Sequence, residues 1–205
     1  MPATSGTDAS KGATEINLAV IGSLAAVWII WGSTYLAIKI GLETMPPFFM
    51  QGTRFVLASI GMLVYLRVRR VAWPTRRQMR NACGIGVLLL VGGLGLVTLA
   101  EKRGVDSGLV ATIIAIQPMM MSLWGRFWGK WPRRLEWAGM TIGLVGVAIL
   151  MSDGGLSGSF SGISLVFVAC VNWSFGSALS RHIDMPSGPM TTAFEMAAAA
   201  VAYML

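Results

Sequence analysis

Charged side chains are what this sequence has least of. They make up 12% of its 205 residues, about half the share of an ordinary soluble domain. So few charges cannot dress a folded surface for water, and much of that surface is expected to face another solvent. Histidine occurs once and cysteine twice. His182 lies at the end of an oily segment, while Cys83 and Cys170 lie inside such segments and read as reduced packing residues. No cysteine spacing suggests a metal site or a disulfide framework. HExxH, P-loop and G-x-S-x-G patterns are absent, so the chain is not expected to be an enzyme and no cofactor is implied. Acidic residues are also few, 9 against 16 basic ones, for a net charge of +7. The basic residues cluster between oily segments and have no basic folded domain to present them, so nucleic acid is not an expected partner.

Apolar residues, at 55% with 25 glycines, are abundant instead. Oily, glycine-rich and charge-poor is the profile of an all-α polytopic membrane protein whose partner is the lipid bilayer. The first 17 residues, "MPATSGTDASKGATEIN", are small and polar and read as a disordered cytoplasmic tail with no signal peptide. Beyond them the hydrophobic pattern predicts seven transmembrane helices, at 18–40, 47–66, 82–100, 106–126, 136–151, 162–180 and 188–205. The fifth is short. The second follows Pro46 and Pro47, suited to a first helical turn.

Loop charges set the expected orientation. Arg67, Arg69, Arg70, Arg76, Arg77 and Arg80 separate helices 2 and 3 without an acid, and Arg126, Lys130, Arg133 and Arg134 face only Glu136 between helices 4 and 5. Arg181 and Asp184 follow helix 6. In the loops between these, Glu101, Lys102, Arg103 and Asp106 cancel, and the region of Asp153 has no basic residue. The alternation places the amino terminus in the cytoplasm.

A shift of 142 residues superposes Trp31 on Trp173, Lys39 on Arg181 and Pro47 on Pro189. Five crossings separate the two copies, so the second would insert upside down, as inverted repeats in secondary transporters do. Trp31, Tyr35 and Lys39 share one helical face, with Thr34 beside it; Trp173, Ser177 and Arg181 form the corresponding row. Each row begins with a ring and ends with a cation. One reading turns both rows toward a water-filled cavity; the other has the tryptophans packing and the cations snorkelling. On the first reading Lys39 and Arg181 guard opposite ends of one pathway. Gln117 and Pro118 place a polar group and a kink within helix 4, fit for a binding site or a hinge, or for a structural kink alone. The methionines 119 to 121 beside them form an adaptable oily surface. The glycines of helices 3 and 5 are expected to let helices approach closely. Arg54 and Glu195, each about two turns into a span, are candidates for coupling or gating, with Glu195 the only carboxylate read as lying well inside a span.

Three stretches then resemble a known family. "IIWGSTYLAIKIGLETMPPFFMQGTRF", "RRLEWAGMTIGLVGVAILMSDGG" and "NWSFGSALSRHIDMP" are similar to the drug/metabolite transporter superfamily, and within it to the YedA-like group of EamA-domain transporters. The resemblance runs from about Ile21 to the end of the chain. Gly129-Lys130-Trp131, where the wider family often has Gly-Glu-Arg, favours that narrower group. The resemblance implies ten helices in two inverted five-helix repeats. The first would be residues 18–152, and residues 153–205 an incomplete second. It implies export of small metabolites, amino acids or drugs across the bacterial inner membrane by alternating access. Trp31, Ser33, Thr34, Tyr35 and Lys39 match the family's first helix, Gln117-Pro118 its fourth, and Trp173, Gly176 and Ser177 its sixth, the expected substrate-binding positions together with Arg181. Helices 8 to 10 of that plan are missing, so the expectation is a chain truncated after helix 7, its cavity open on one side and closed by another subunit, a homodimer being the form considered. The rival readings are a non-transporting fragment or membrane scaffold, a seven-helix receptor and, last, a membrane-embedded enzyme.

Overall fold

The computed structural model describes residues 18–152 and 157–205. The amino-terminal tail and Asp153 lie outside the described residues. Seven helical segments follow one another: α1 Leu18–Gly41, α2 Pro47–Val68, α3 Arg76–Lys102, α4 Ser107–Trp128, α5 Arg134–Ser152, α6 Phe160–Ser180 and α7 Pro189–Met204. No strand occurs among the described residues. Five of the seven, α1 to α4 and α6, are long and apolar enough to cross a membrane. The protein is thus an all-α polytopic membrane protein. By their contacts the described residues fall into two units, one ending at Thr34 and one running from Tyr35 to Leu205.

The largest boundary difference from the sequence expectation is at α3, which starts at Arg76 instead of residue 82. Its start is a capping box. The Thr75 hydroxyl accepts from the Gln78 amide at 3.3 Å, and the Gln78 side-chain oxygen accepts from the Thr75 amide at 3.0 Å. Two otherwise unpaired donors are satisfied reciprocally. Arg76, Arg77 and Arg80, counted as loop charge, therefore ride on the first turns of the helix.

Helix α3 is the centre of the second unit. Its middle, Val87–Gly95, is π-helical. On one side α7 packs along α3 and α2, burying Phe55, Leu94, Ala199, Ala200 and Tyr203 together. On the other side α6 and α4 bury Val97, Val110, Ile113, Val166 and Cys170. Glycine makes both approaches possible. A Cβ on Gly86 would lie 2.5 Å from the Cα of Glu195, and one on Gly93 would lie 3.0 Å from the Trp173 ring. The expectation of thin helix faces thus holds at Gly86, Gly92, Gly93 and Gly95 of α3, but not at Gly84. On α5 a Cβ on Gly143 would meet Met119 Sδ at 3.9 Å, an ordinary contact, and nothing lies within 4 Å at Gly139 or Gly146.

At the far end of α3 a polar clasp ties two connections together. The Asp106 amide donates to the Ser157 carbonyl at 3.0 Å. The Asp106 carboxylate accepts from both the amide and the hydroxyl of Ser157, each at 2.9 Å. Its other oxygen accepts from the Lys39 amine at 3.3 Å. The hydrogen bonds from Ser157, then that from Lys39, hold the Asp106 carboxyl below its ordinary range.

Two expectations follow from this packing. Gly86→Ala drives a methyl into backbone that cannot yield, so it lowers stability by about 1–3 kcal/mol. Gly84→Ala meets open space and leaves the melting temperature in detergent unchanged or slightly raised; equal losses in both would contradict the approach described. For Asp106 the sign follows from its depressed value. The clasp stabilises the fold above the carboxyl's ordinary value of 3.8, and that contribution disappears as pH falls through the lower folded value. Melting of Asp106→Asn across acid pH therefore loses this part of the wild-type decline, while its melting near neutrality is lower than wild type.

Candidate functional site

Helix α4 breaks where proline requires it. Its first part ends at Ile114, and Gln117–Trp124 resumes after a turn. Pro118 has no amide proton to give the carbonyl one turn back. The last turn tightens to a 3₁₀ form over Gly125–Trp128. Gly129 stops it with a φ of +74°, and the Lys130 amide donates to the Gly125 carbonyl at 2.9 Å. This left-handed stop is the usual role of glycine after a helix. The chain then turns through Trp131, Pro132 and Arg133 into α5, where the Glu136 carboxylate accepts from the Arg133 amide at 3.2 Å.

This turn and the end of α6 enclose a cavity of about 760 Å³. Lys130, Arg133 and Arg181 line it, against one carboxylate, Glu136. Trp128, Trp131 and His182 supply its rings, and Pro118, Met121 and Ser122 its inner wall. Trp128 stacks on His182 with centroids 4.1 Å apart and planes 10° apart, joining the ends of α4 and α6. The His182 Nδ1 lies 2.9 Å from the Ala178 carbonyl. A carbonyl only accepts, so Nδ1 carries the proton of this bond, and in the neutral ring Nε2 is the free acceptor. Arg126 lies over the Trp131 ring at 4.8 Å, a cation–π contact. Deeper in, the buried Ser174 hydroxyl accepts from the Trp124 ring nitrogen at 2.9 Å and anchors the wall. Flat rings beside an excess of guanidinium and ammonium groups suit an organic molecule with an apolar body and a negative group.

Of the residues marked in the sequence, the cavity brings together Pro118 and Arg181. Lys39 lies elsewhere, held by Asp106 just before α4, whereas the cavity surrounds the other end of that helix, about 33 Å away at 1.5 Å per residue. Tyr35, which one of the two readings turns toward a wet cavity, is 4% exposed and sits in the apolar cluster with Val110 and Val166. Trp173 is partly buried against Gly93. Ser177 and Gln117 are partly buried. Within the first unit, Trp31 is exposed, and Ser33 and Thr34 donate to the Ile30 carbonyl at 3.1 and 2.8 Å. Arg54 is exposed, its guanidinium over the Phe55 ring at 5.8 Å. Glu195 is partly buried on α7, its backbone against Gly86.

Two features escaped the sequence reading. The Trp128–His182 stack joins residues 54 positions apart, and only the nearness of both to helix ends hinted at it. Glu101, assigned to a neutral loop, lies inside α3 and is 7% exposed. Glu195 is therefore not alone as a carboxylate within a helix. The signal was the unbroken oily run up to "TLAEK", which carries the helix past residue 100.

Residues 18–152 match the EamA-like transporter family. The uncharacterized inner membrane transporter YedA of Escherichia coli (strain K12) is 43% identical over 188 residues, 92% of this chain and 61% of that protein. A Salmonella typhimurium protein, named a probable amino-acid metabolite efflux pump, is 26% identical over 161 residues, 77% of this chain and 52% of that one. The chain thus spans less than two thirds of the length of these relatives. No solved structure matches it. The match over residues 18–152 and the likeness to YedA establish that this chain belongs to the EamA-like transporter family.

Proposed function

We propose that the chain forms part of a secondary transporter of the bacterial inner membrane, exporting small metabolites, amino acids or drugs by alternating access. The observation that carries this reading is the cation-rich, ring-lined cavity at the ends of α4 and α6. It gathers Pro118 and Arg181, two residues that the sequence pattern selects for substrate contact. In this reading residues 18–152 form one repeat and the helices after them begin its inverted counterpart. Catalysis plays no part.

The cavity lies among the loops richest in lysine and arginine, the cytoplasmic side by the positive-inside rule. An exporter must collect its substrate from that side. The amino terminus then lies in the cytoplasm as well, since an even number of crossings separates it from the α2–α3 loop. Pro118 gives α4 a hinge at the inner wall, and the Trp128–His182 stack closes one edge. Rocking about a ligand held there would carry it toward the Lys39 end.

Two measurements test this. In purified chain, indole-3-acetate binds saturably by isothermal titration calorimetry, and its uncharged amide binds about tenfold or more weakly, a difference of about 1.4 kcal/mol. Arg181→Ala and Arg133→Ala each lose most of the preference for the acid. Loaded vesicles containing the chain release the acid faster than empty ones, and Trp128→Ala slows that release. Acid and amide binding alike, with no release, would leave the chain a membrane scaffold instead. For orientation, a phosphatase active only outside the cytoplasm is silent when fused after Arg70 or Arg133 and active after Arg103; the reverse pattern would overturn the assignment.

A further inference from the structure

The buried polar atoms at the Lys39 end of the second unit are unbalanced in one direction. Gln51 on α2 and Thr98 on α3 are both 0% exposed. The Gln51 side-chain nitrogen donates to the Thr98 hydroxyl at 2.7 Å. That hydroxyl spends its own proton on the Leu94 carbonyl at 2.8 Å. Glu101 follows Thr98 by three residues, on the same helical face, where side chains start about 5–6 Å apart. Among the described residues three buried side-chain nitrogen or oxygen atoms lack a hydrogen-bond partner. They are the Gln51 Oε1 and both carboxylate oxygens of Glu101. All three are acceptors; Gln51 is bonded to Thr98, and Glu101 stands one turn from Thr98 on the same helix.

Buried acceptors without a donor are costly, and a carboxylate most of all. The charged groups nearby do not balance them. Lys39 on α1 gives its hydrogen bond to Asp106. The Lys102 amine turns to the Leu42 carbonyl at 3.5 Å. Arg54, one turn from Gln51 on α2, is exposed and lies over Phe55. On α7 the charged side chain is Glu195, opposite Gly86, fifteen residues and about 22 Å back along α3. Helix α6 is uncharged from Phe160 to Ser180.

We propose that Gln51, Thr98 and Glu101 form an internal site for one small cation, Na⁺ or a proton, at the Lys39 end of the fold. The shared chemistry is a compact positive charge met by oxygen. Na⁺ takes several oxygens and uses the glutamine carbonyl with the carboxylate; a proton needs the carboxylate alone. Use of this cation as the coupling ion rests on the transport reading above. Its binding does not.

The test is thermal melting of the purified chain in detergent, with choline and K⁺ as controls. If Na⁺ is the occupant, it raises the melting temperature saturably by about 5 °C or more, and both Glu101→Gln and Gln51→Leu abolish the rise. If a proton is the occupant, Na⁺ has no specific effect. Wild type then loses melting temperature relative to Glu101→Gln as pH is raised from about 5 to about 9, and Gln51→Leu keeps that behaviour. Glu101→Gln removes only a charge and keeps the shape, so it is expected to fold. No specific Na⁺ effect, together with a wild type that tracks Glu101→Gln at every pH, overturns the proposal. A cation response without organic-acid release would fell the transport reading and leave this site standing; release without any cation response would do the opposite.

Discussion

Close approach of backbone to backbone along α3 is the constraint on which the second unit depends. In a membrane, neighbouring helices gain nothing by leaving water, so association rests on packing and on satisfied polar groups. Gly86 lets α7 come within touching distance at Glu195, and Gly93 seats the Trp173 ring of α6. With α7 and α6 drawn in on opposite sides, Phe55, Tyr203, Val110 and Val166 form two apolar clusters flanking one helix. The Tyr203 hydroxyl then reaches the Leu90 carbonyl across the α7 side. Each of these contacts presupposes the missing side chains on α3.

That central role also divides the chemistry. The end of α3 near Glu101 holds buried carboxylate and amide oxygens beside a lysine–aspartate clasp. The ends of α4 and α6 hold rings and cations around open space. On the proposed readings a small cation binds at one end and an organic anion at the other, about a membrane's thickness apart. Such a separation calls for coupling through the helices that join the two ends, not through direct contact.

The fold was largely legible because its signals are long. Seven oily runs survive any error of a few residues, and Pro118 announced the break in α4 that the structure shows. The six-residue error at α3 came from reading Arg76 and Arg77 as loop charge. The Thr75-x-x-Gln78 capping pattern was in plain view and outweighs the cost of charge on a first turn. The site was less legible. Helical spacing puts Trp31, Tyr35 and Lys39 on one stripe, but spacing carries no information about what lies opposite. Tyr35 is covered by apolar neighbours from other helices, and Lys39 is captured by a loop aspartate distant in sequence. Arg181 lines the cavity beside His182, which stacks on Trp128. Pairings of that kind are set by tertiary approach and leave no periodic trace.

The π-helical stretch Val87–Gly95 has a mechanical consequence of its own. A π turn holds about one residue more than an α turn, so it stores spare chain in the middle of an otherwise rigid rod. Passing one residue's worth of winding into or out of it rotates everything beyond by about 100°. Thr98 and Glu101 would then sweep to a different azimuth while the capped Thr75 end stayed fixed, a torsional clutch requiring neither terminus to unwind.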